Sequence, residues 1–178
     1  MKNLKDIIIE KLNVKNINIQ KYTCQPKTRE ELKKILDERL KKDKNADLND
    51  IDVSEITDMS SLFFRLFPHN IDISKWDVSN VTTMSFMFYN CINFNSDLSK
   101  WDIRNVRYTN KMFYGCKIFN SDLSKWDISN AENMEDMFNG CNKFNSDLSK
   151  WDVSNVTDMD NIFVGCDSLK NKPSWYIN

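Results

Sequence analysis

Cys91, Cys116, Cys141 and Cys166 stand 25 residues apart, and two aspartate series, Asp77, Asp102, Asp127, Asp152 and Asp97, Asp122, Asp147, keep the same interval. Thiols in register could ligate a metal or form disulfides, and carboxylates in register could hold calcium. The surrounding residues argue against both. Each cysteine ends an apolar stripe read as helical, and helices pack ~8–10 Å apart, beyond the ~7 Å Cα separation that a disulfide tolerates. Cysteine is also among the most buried residue types and packs as a small hydrophobe. The ladder is therefore read as reduced, inert core, with Cys24 outside the register. Calcium solenoids need glycine-rich loops, whereas the three glycines, Gly115, Gly140 and Gly165, each precede a ladder cysteine. The aspartates are expected to cap turns and to pair with the Lys75, Lys100, Lys125, Lys150 column. The single histidine, His69, leaves triads and histidine-rich metal sites without their usual base or ligand. No catalytic residue, metal or cofactor is assigned, and the chain is not read as an enzyme.

The elements that carry these columns repeat with the same period. Trp76, Trp101, Trp126 and Trp151 are 25 apart, and the block from Phe94 to Asp102 recurs with identical residues from Phe119 and from Phe144. Within each unit Val81, Met84, Met87, Phe88 and Cys91, and their counterparts 25, 50 and 75 residues on, fall on one arc of a helix. The other half, typified by Phe94 to Ile103, is short and turn-rich and reads as a brief strand and corner. A 25-residue unit sits inside the ~20–29 residue range of leucine-rich solenoids. The fold predicted is thus an α/β repeat: a leucine-rich-repeat-like solenoid of about five 25-residue coils with parallel short strands, preceded by an N-terminal α/β cap.

Three segments follow: a cap over 1–47, the repeat solenoid over 48–168, and a short closing segment over 169–178. In the cap, Ile17, Ile19 and Tyr22 alternate like a strand. Pro26, Thr28 and Glu31 announce a helix with a capping box, and Leu32, Ile35, Leu36 and Leu40 make its apolar stripe. In the first, divergent coil Ile51 stands where later coils have Trp. The Trp and Asn70, Asn95, Asn120, Asn145 columns are expected to be structural.

Among 178 residues, 25 basic and 26 acidic side chains leave a formal net charge of −1, so nothing points to nucleic acid. No apolar run approaches the ~20 residues of a membrane span, and the first residues carry no leader pattern, which predicts a soluble chain with no membrane insertion.

The recurring W-D-[VI]-S-N-V-T-x-M-x-x-M-F-x-x-C pattern over residues 48–166 resembles the BspA-like family of bacterial leucine-rich-repeat surface proteins. The resemblance implies a solenoid and a surface or adhesion-type role without catalysis. By sequence alone the chain reads as cytoplasmic; by resemblance, as cell-surface.

Specificity should lie where units differ. Phe64, Tyr89 and Tyr114 share one unit position, Phe86 and Tyr108 sit on the outer arc, and the third coil adds Arg104, Arg107 and Lys111. These define a convex aromatic and basic patch, Phe64, Phe86, Tyr89, Arg104, Arg107, Tyr108 and Tyr114, as the contact surface for another protein of unknown identity. The alternative is a structural element that self-associates weakly through a thinly closed C-terminal coil.

Overall fold

The computed structural model describes residues 22–64 and 71–177. His69, Asn70, Leu66 and the alternating Ile17 and Ile19 lie outside the described residues. One helix is present among the described residues, α1, Arg29–Lys42. Thr28 caps it by accepting the Glu31 N–H at 3.2 Å, while the Glu31 carboxylate reaches back to the Lys27 N–H at 2.7 Å rather than to Thr28 itself. Leu32, Leu36 and Leu40 are buried in the same core as the repeats, and Ile35 is partly buried against it. Beyond α1, Arg29 Nε donates to the Ser60 carbonyl at 2.6 Å and Arg39 pairs with Asp50 at 2.8 Å, so the helix is tied to the first unit.

The repeats are not an α/β solenoid. Among the described residues they hold no helix and no sheet; neighbouring units meet through isolated parallel bridges, Asp58 to Thr83, Thr83 to Tyr108, Tyr108 to Asn133 and Asn133 to Asp158. The expected helix over Val81–Cys91 is a run of four-residue turns. Met87, Tyr89 and Cys91 donate N–H groups to Met84, Phe86 and Phe88 at 3.1, 3.1 and 2.9 Å. The N–H groups between them leave the unit: Met84, Phe86, Phe88 and Asn90 donate to Tyr108, Asn110, Met112 and Tyr114 at 2.8, 3.0, 2.9 and 2.7 Å. A helix would use every N–H for its own carbonyl four residues back. Two left-handed residues per unit prevent that: Ser61, Phe86, Lys111, Asp136 and Asn161 (φ 55 to 59°) form one series, and Asn90, Gly115, Gly140 and Gly165 (φ 57 to 76°) the other.

The apolar stripe is nonetheless buried, because turns whose first and fourth residues are apolar place them inward, as a helical face would. Val81, Met84, Met87, Phe88 and Cys91 are all fully buried. Their aromatic members stack along the axis: Phe63, Phe88, Phe113, Phe138 and Phe163 have successive centroids 5.1, 5.5, 5.7 and 6.0 Å apart. Each ladder tryptophan is buried and donates its indole N–H to a carbonyl of the preceding unit, Trp101 to Ile73 at 3.2 Å and Trp126 to Leu98 at 3.0 Å. Trp175 continues the column, 6.4 Å from Trp151 and bonded to the Leu148 carbonyl at 2.9 Å, so the last unit is closed on that side.

Polar columns join the same stack. Asn95 Oδ1 accepts the Asn120 N–H, and Asn120 Oδ1 the Asn145 N–H, both at 2.8 Å. Asp97, Asp122 and Asp147 each accept the N–H of the serine two residues on at 2.9 to 3.0 Å, capping the turn, and those bonds hold their carboxyl groups below the usual range. The lysine column acts on Asp97 and Asp122 only as a weaker Coulombic influence. Among the described residues no helix is long and apolar enough to cross a membrane.

Candidate functional site

The cysteines were candidates for chemistry by their spacing, and the structure accounts for each. All five are free thiols. Cys116, Cys141 and Cys166 donate to the carbonyls of Phe88, Phe113 and Phe138 at 3.0, 3.0 and 3.1 Å, a role that fixes thiol direction and joins consecutive units. The cysteines are not kept apart by the expected helix–helix distance, because units joined by parallel bridges lie at strand-like ~4.8 Å spacing. Each ladder sulfur instead lies against a carbonyl of the preceding unit, and three of the four cysteines are buried. Burial pushes the Cys91 and Cys166 thiols up to about 12 and those of Cys116 and Cys141 well above their ordinary value.

The unit-specific residues divide into three groups. The first is a column of half-buried rings: Phe64 to Tyr89 at 5.4 Å, and Tyr89 to Tyr114 at 4.9 Å with planes 12° apart. The tyrosines are thus one unit spacing apart rather than one helix–helix distance. Phe86 joins them 5.8 Å from Tyr89, and Lys111 Nζ lies 5.7 Å from the Phe86 ring centre. Phe86 is held at φ 59°, a conformation that Asn, Asp and Gly adopt far more readily than a bulky side chain. The two αL series otherwise contain mostly Ser, Asp, Asn and Gly, so Phe86 and Lys111 are the residues retained there against local preference.

The second group is Tyr108, 40% exposed, with the Arg107 guanidinium 5.8 Å from its ring centre. Tyr108 occupies the bridge position that Asp58, Asn133 and Asp158 fill elsewhere with a side chain accepting the N–H two residues on. A tyrosine cannot close that turn and projects outward instead. Arg107 Nε bonds Glu132 at 2.8 Å, raising the guanidinium and lowering the Glu132 carboxyl, with a smaller contribution from Tyr108. This pair crosses a shallow polar groove of about 540 Å³ lined also by Asn105, Asn130, Asn155 and Thr157. Asn105, Asn130 and Asn155 use their amide N–H groups on carbonyls of the preceding unit at 2.7 to 2.8 Å, so the groove wall is part of the stack.

Arg104 forms the third group. It bonds Asp102 in its own turn at 2.8 Å and borders a separate cleft with Lys125 and Asp127.

Sequence reasoning listed the bases and missed their acidic partners. Glu132 lies 25 residues after Arg107, so the repeat interval itself pointed to it; for Lys111 the interval points to Asp136, 3.5 Å away, and Glu135, bonded to Lys111 at 2.8 Å, stands beside it. The face is aromatic with compensated charge rather than basic.

Stacked 25-residue units of turns around continuous aromatic and sulfur columns define a repeat protein. The sequence profile of the DUF285 family, described as a Mycoplasma protein of unknown function, matches residues 30–142 and, overlapping them, 109–177. The chain belongs to that family. No curated protein and no solved structure matches it.

Proposed function

We propose that this chain is a protein-binding repeat module whose contact surface is the ring face of Phe64, Phe86, Tyr89 and Tyr114, extended by Tyr108 and Arg107, and that it works by recognition rather than catalysis. The observation that carries the reading is Phe86, kept in a left-handed conformation with its ring half-exposed between Tyr89 and Lys111. Nothing in the stack requires a phenyl ring there, since Asp136 and Asn161 serve the same backbone position. Strain retained on a surface ring is accounted for by an external contact. The likeness of the W-D-V-S-N-V-T-x-M repeat to BspA-like bacterial surface proteins supports a surface or adhesion-type setting for that contact.

Affinity capture by the immobilised chain, run beside a Tyr89→Ser/Tyr108→Ser variant, tests the assignment. A partner held by the intact chain and lost from the variant fits it, since truncating an anchor residue costs ~2 kcal/mol or more. A partner retained by that variant but lost on changing Lys75, Lys100 and Lys125 moves the contact to the opposite columns.

A further inference from the structure

Besides the rings, the repeat builds a second exposed row, made by Asn105, Asn130 and Asn155. Each of these amides donates through Nδ2 to a carbonyl of the preceding unit, Asn105 to Ser79, Asn130 to Arg104 and Asn155 to Ser129, at 2.7 to 2.8 Å. That bond fixes the amide, and among the described residues no donor reaches the three Oδ1 atoms. The result is a row of exposed, pre-oriented acceptors at the unit interval of ~4.8 Å. They line the shallow groove of about 540 Å³, together with Arg107, Glu132 and Thr157. Arg107 and Glu132 bond one another, so the groove holds donors and acceptors without net charge. Tyr108 is outside the lining, yet its exposed ring, 5.8 Å from the Arg107 guanidinium, adds an amphipathic face beside it.

We propose that this groove binds a neutral saccharide chain laid along the stack, with its hydroxyl groups on the asparagine row and on the Arg107–Glu132 pair. A hydroxyl both donates and accepts, so one kind of group satisfies the Oδ1 and carboxylate acceptors and the guanidinium donors together. Successive sugars present hydroxyls along the whole chain, and an uncharged chain suits a lining whose charges already cancel. Other ligand classes match less well. An extended peptide repeats on one side every ~6.8 Å, twice its rise per residue, and loses register with acceptors ~4.8 Å apart. All six lining residues are polar, which gives an apolar ligand little to bury against. A polyanion would meet Glu132 and three acceptor oxygens against a single guanidinium. The inference goes beyond the ring-face reading and shares only Arg107 and Tyr108 with it. What is recognised is the sugar, whether free or attached to another protein.

The probes are neutral hexasaccharides of glucose, galactose, mannose and N-acetylglucosamine, titrated into the full chain while the side-chain amide NMR signals of Asn105, Asn130 and Asn155 are followed. At least one probe should shift all three signals saturably, with an affinity that salt leaves unchanged. Hexagalacturonate, which carries a carboxylate on each sugar, should bind at least tenfold more weakly. The double variant Arg107→Ala/Glu132→Ala keeps the charge balanced and should weaken sugar binding at least tenfold. Thr157→Met, which crowds the groove from another unit, should do the same. Tyr89→Ser, on the ring column, should leave sugar binding unchanged, so the two readings can fail separately. A glycoprotein carrying the tightest-binding sugar should shift the same signals and cease to do so once its glycan is removed enzymatically. Five outcomes would overturn the proposal: no probe moves the three signals, hexagalacturonate binds equally well, the folded groove variants bind sugar normally, Tyr89→Ser abolishes sugar binding, or the deglycosylated protein still shifts the signals.

Discussion

The repeated columns and the unit-specific face occupy the same turns yet obey different rules. Phe113 and Tyr114 are neighbours in the chain. Phe113 is fully buried between Phe88 and Phe138 in a series where every described unit carries phenylalanine; Tyr114 is half-buried at a position that also holds Phe64, Asn139 and Val164. Identity is enforced where a side chain must fit both the unit before and the unit after it. Where only one side meets protein, the chain is free to vary.

The sharpest way to break the comparison is to exchange the two costs. Phe113→Ala should lose ~3–5 kcal/mol in denaturant unfolding, since it opens a cavity in a stacked core, while Tyr114→Ala should lose ~1 kcal/mol or less. Equal losses would remove the distinction. Next comes the backbone: Gly140→Ala should cost ~1–2 kcal/mol, because φ is 76° and the added methyl would sit 3.4 Å from Gly115 Cα. Asn139→Ala, beside it, should cost less.

Titration separates the same regions. The ladder thiols have folded-state values above the ordinary 9.0, about 12 for Cys91 and Cys166, so the folded state holds protons that the unfolded chain gives up. The thiol contribution to stability should be constant below pH 9.0 and fall as pH rises from there towards about 12, a loss that replacing Cys91 by Ala should lessen. At the other extreme, Asp97, Asp122, Asp127 and Asp147 are depressed by hydrogen bonds from serine, so their contribution is present above the ordinary carboxylate value near ~4 and is lost as pH falls below it. Thermal unfolding across pH checks both limbs. The smallest effect belongs to the exposed face: Tyr108→Ser should change stability by under ~0.5 kcal/mol while removing the ring from any partner.

The interval of 25 residues and nearly all of the buried set are legible in the sequence, because an inward side chain is apolar whatever backbone carries it. The backbone is not. Val78, Val81, Met84, Met87, Phe88 and Cys91 are three, three, three, one and three residues apart, a spacing that fits a helical face and a run of four-residue turns equally well. What decides is the left-handed residue at positions 61, 86, 111, 136 and 161, and its sequence signal is obscured by Phe86 and Lys111. The mistaken helix carried a second error with it, since a helix–helix distance was assumed for tyrosines that stack 4.9 Å apart. For the candidate face, the rings were visible as departures from the repeat. The acids that neutralise Arg107 and Lys111 required asking what lies one unit further on.

The account rests on Phe86 being held where it is for contact rather than for folding, and Phe86→Asn tests that without knowledge of any partner. Asparagine tolerates φ near 59° and occupies the same position at Asn161. Denaturant unfolding of the variant should show stability unchanged or raised by ~0.5–1 kcal/mol as the strain is relieved. A loss of ~2 kcal/mol or more would mean that the ring supports the stack, and would contradict its assignment to an outward-facing binding surface.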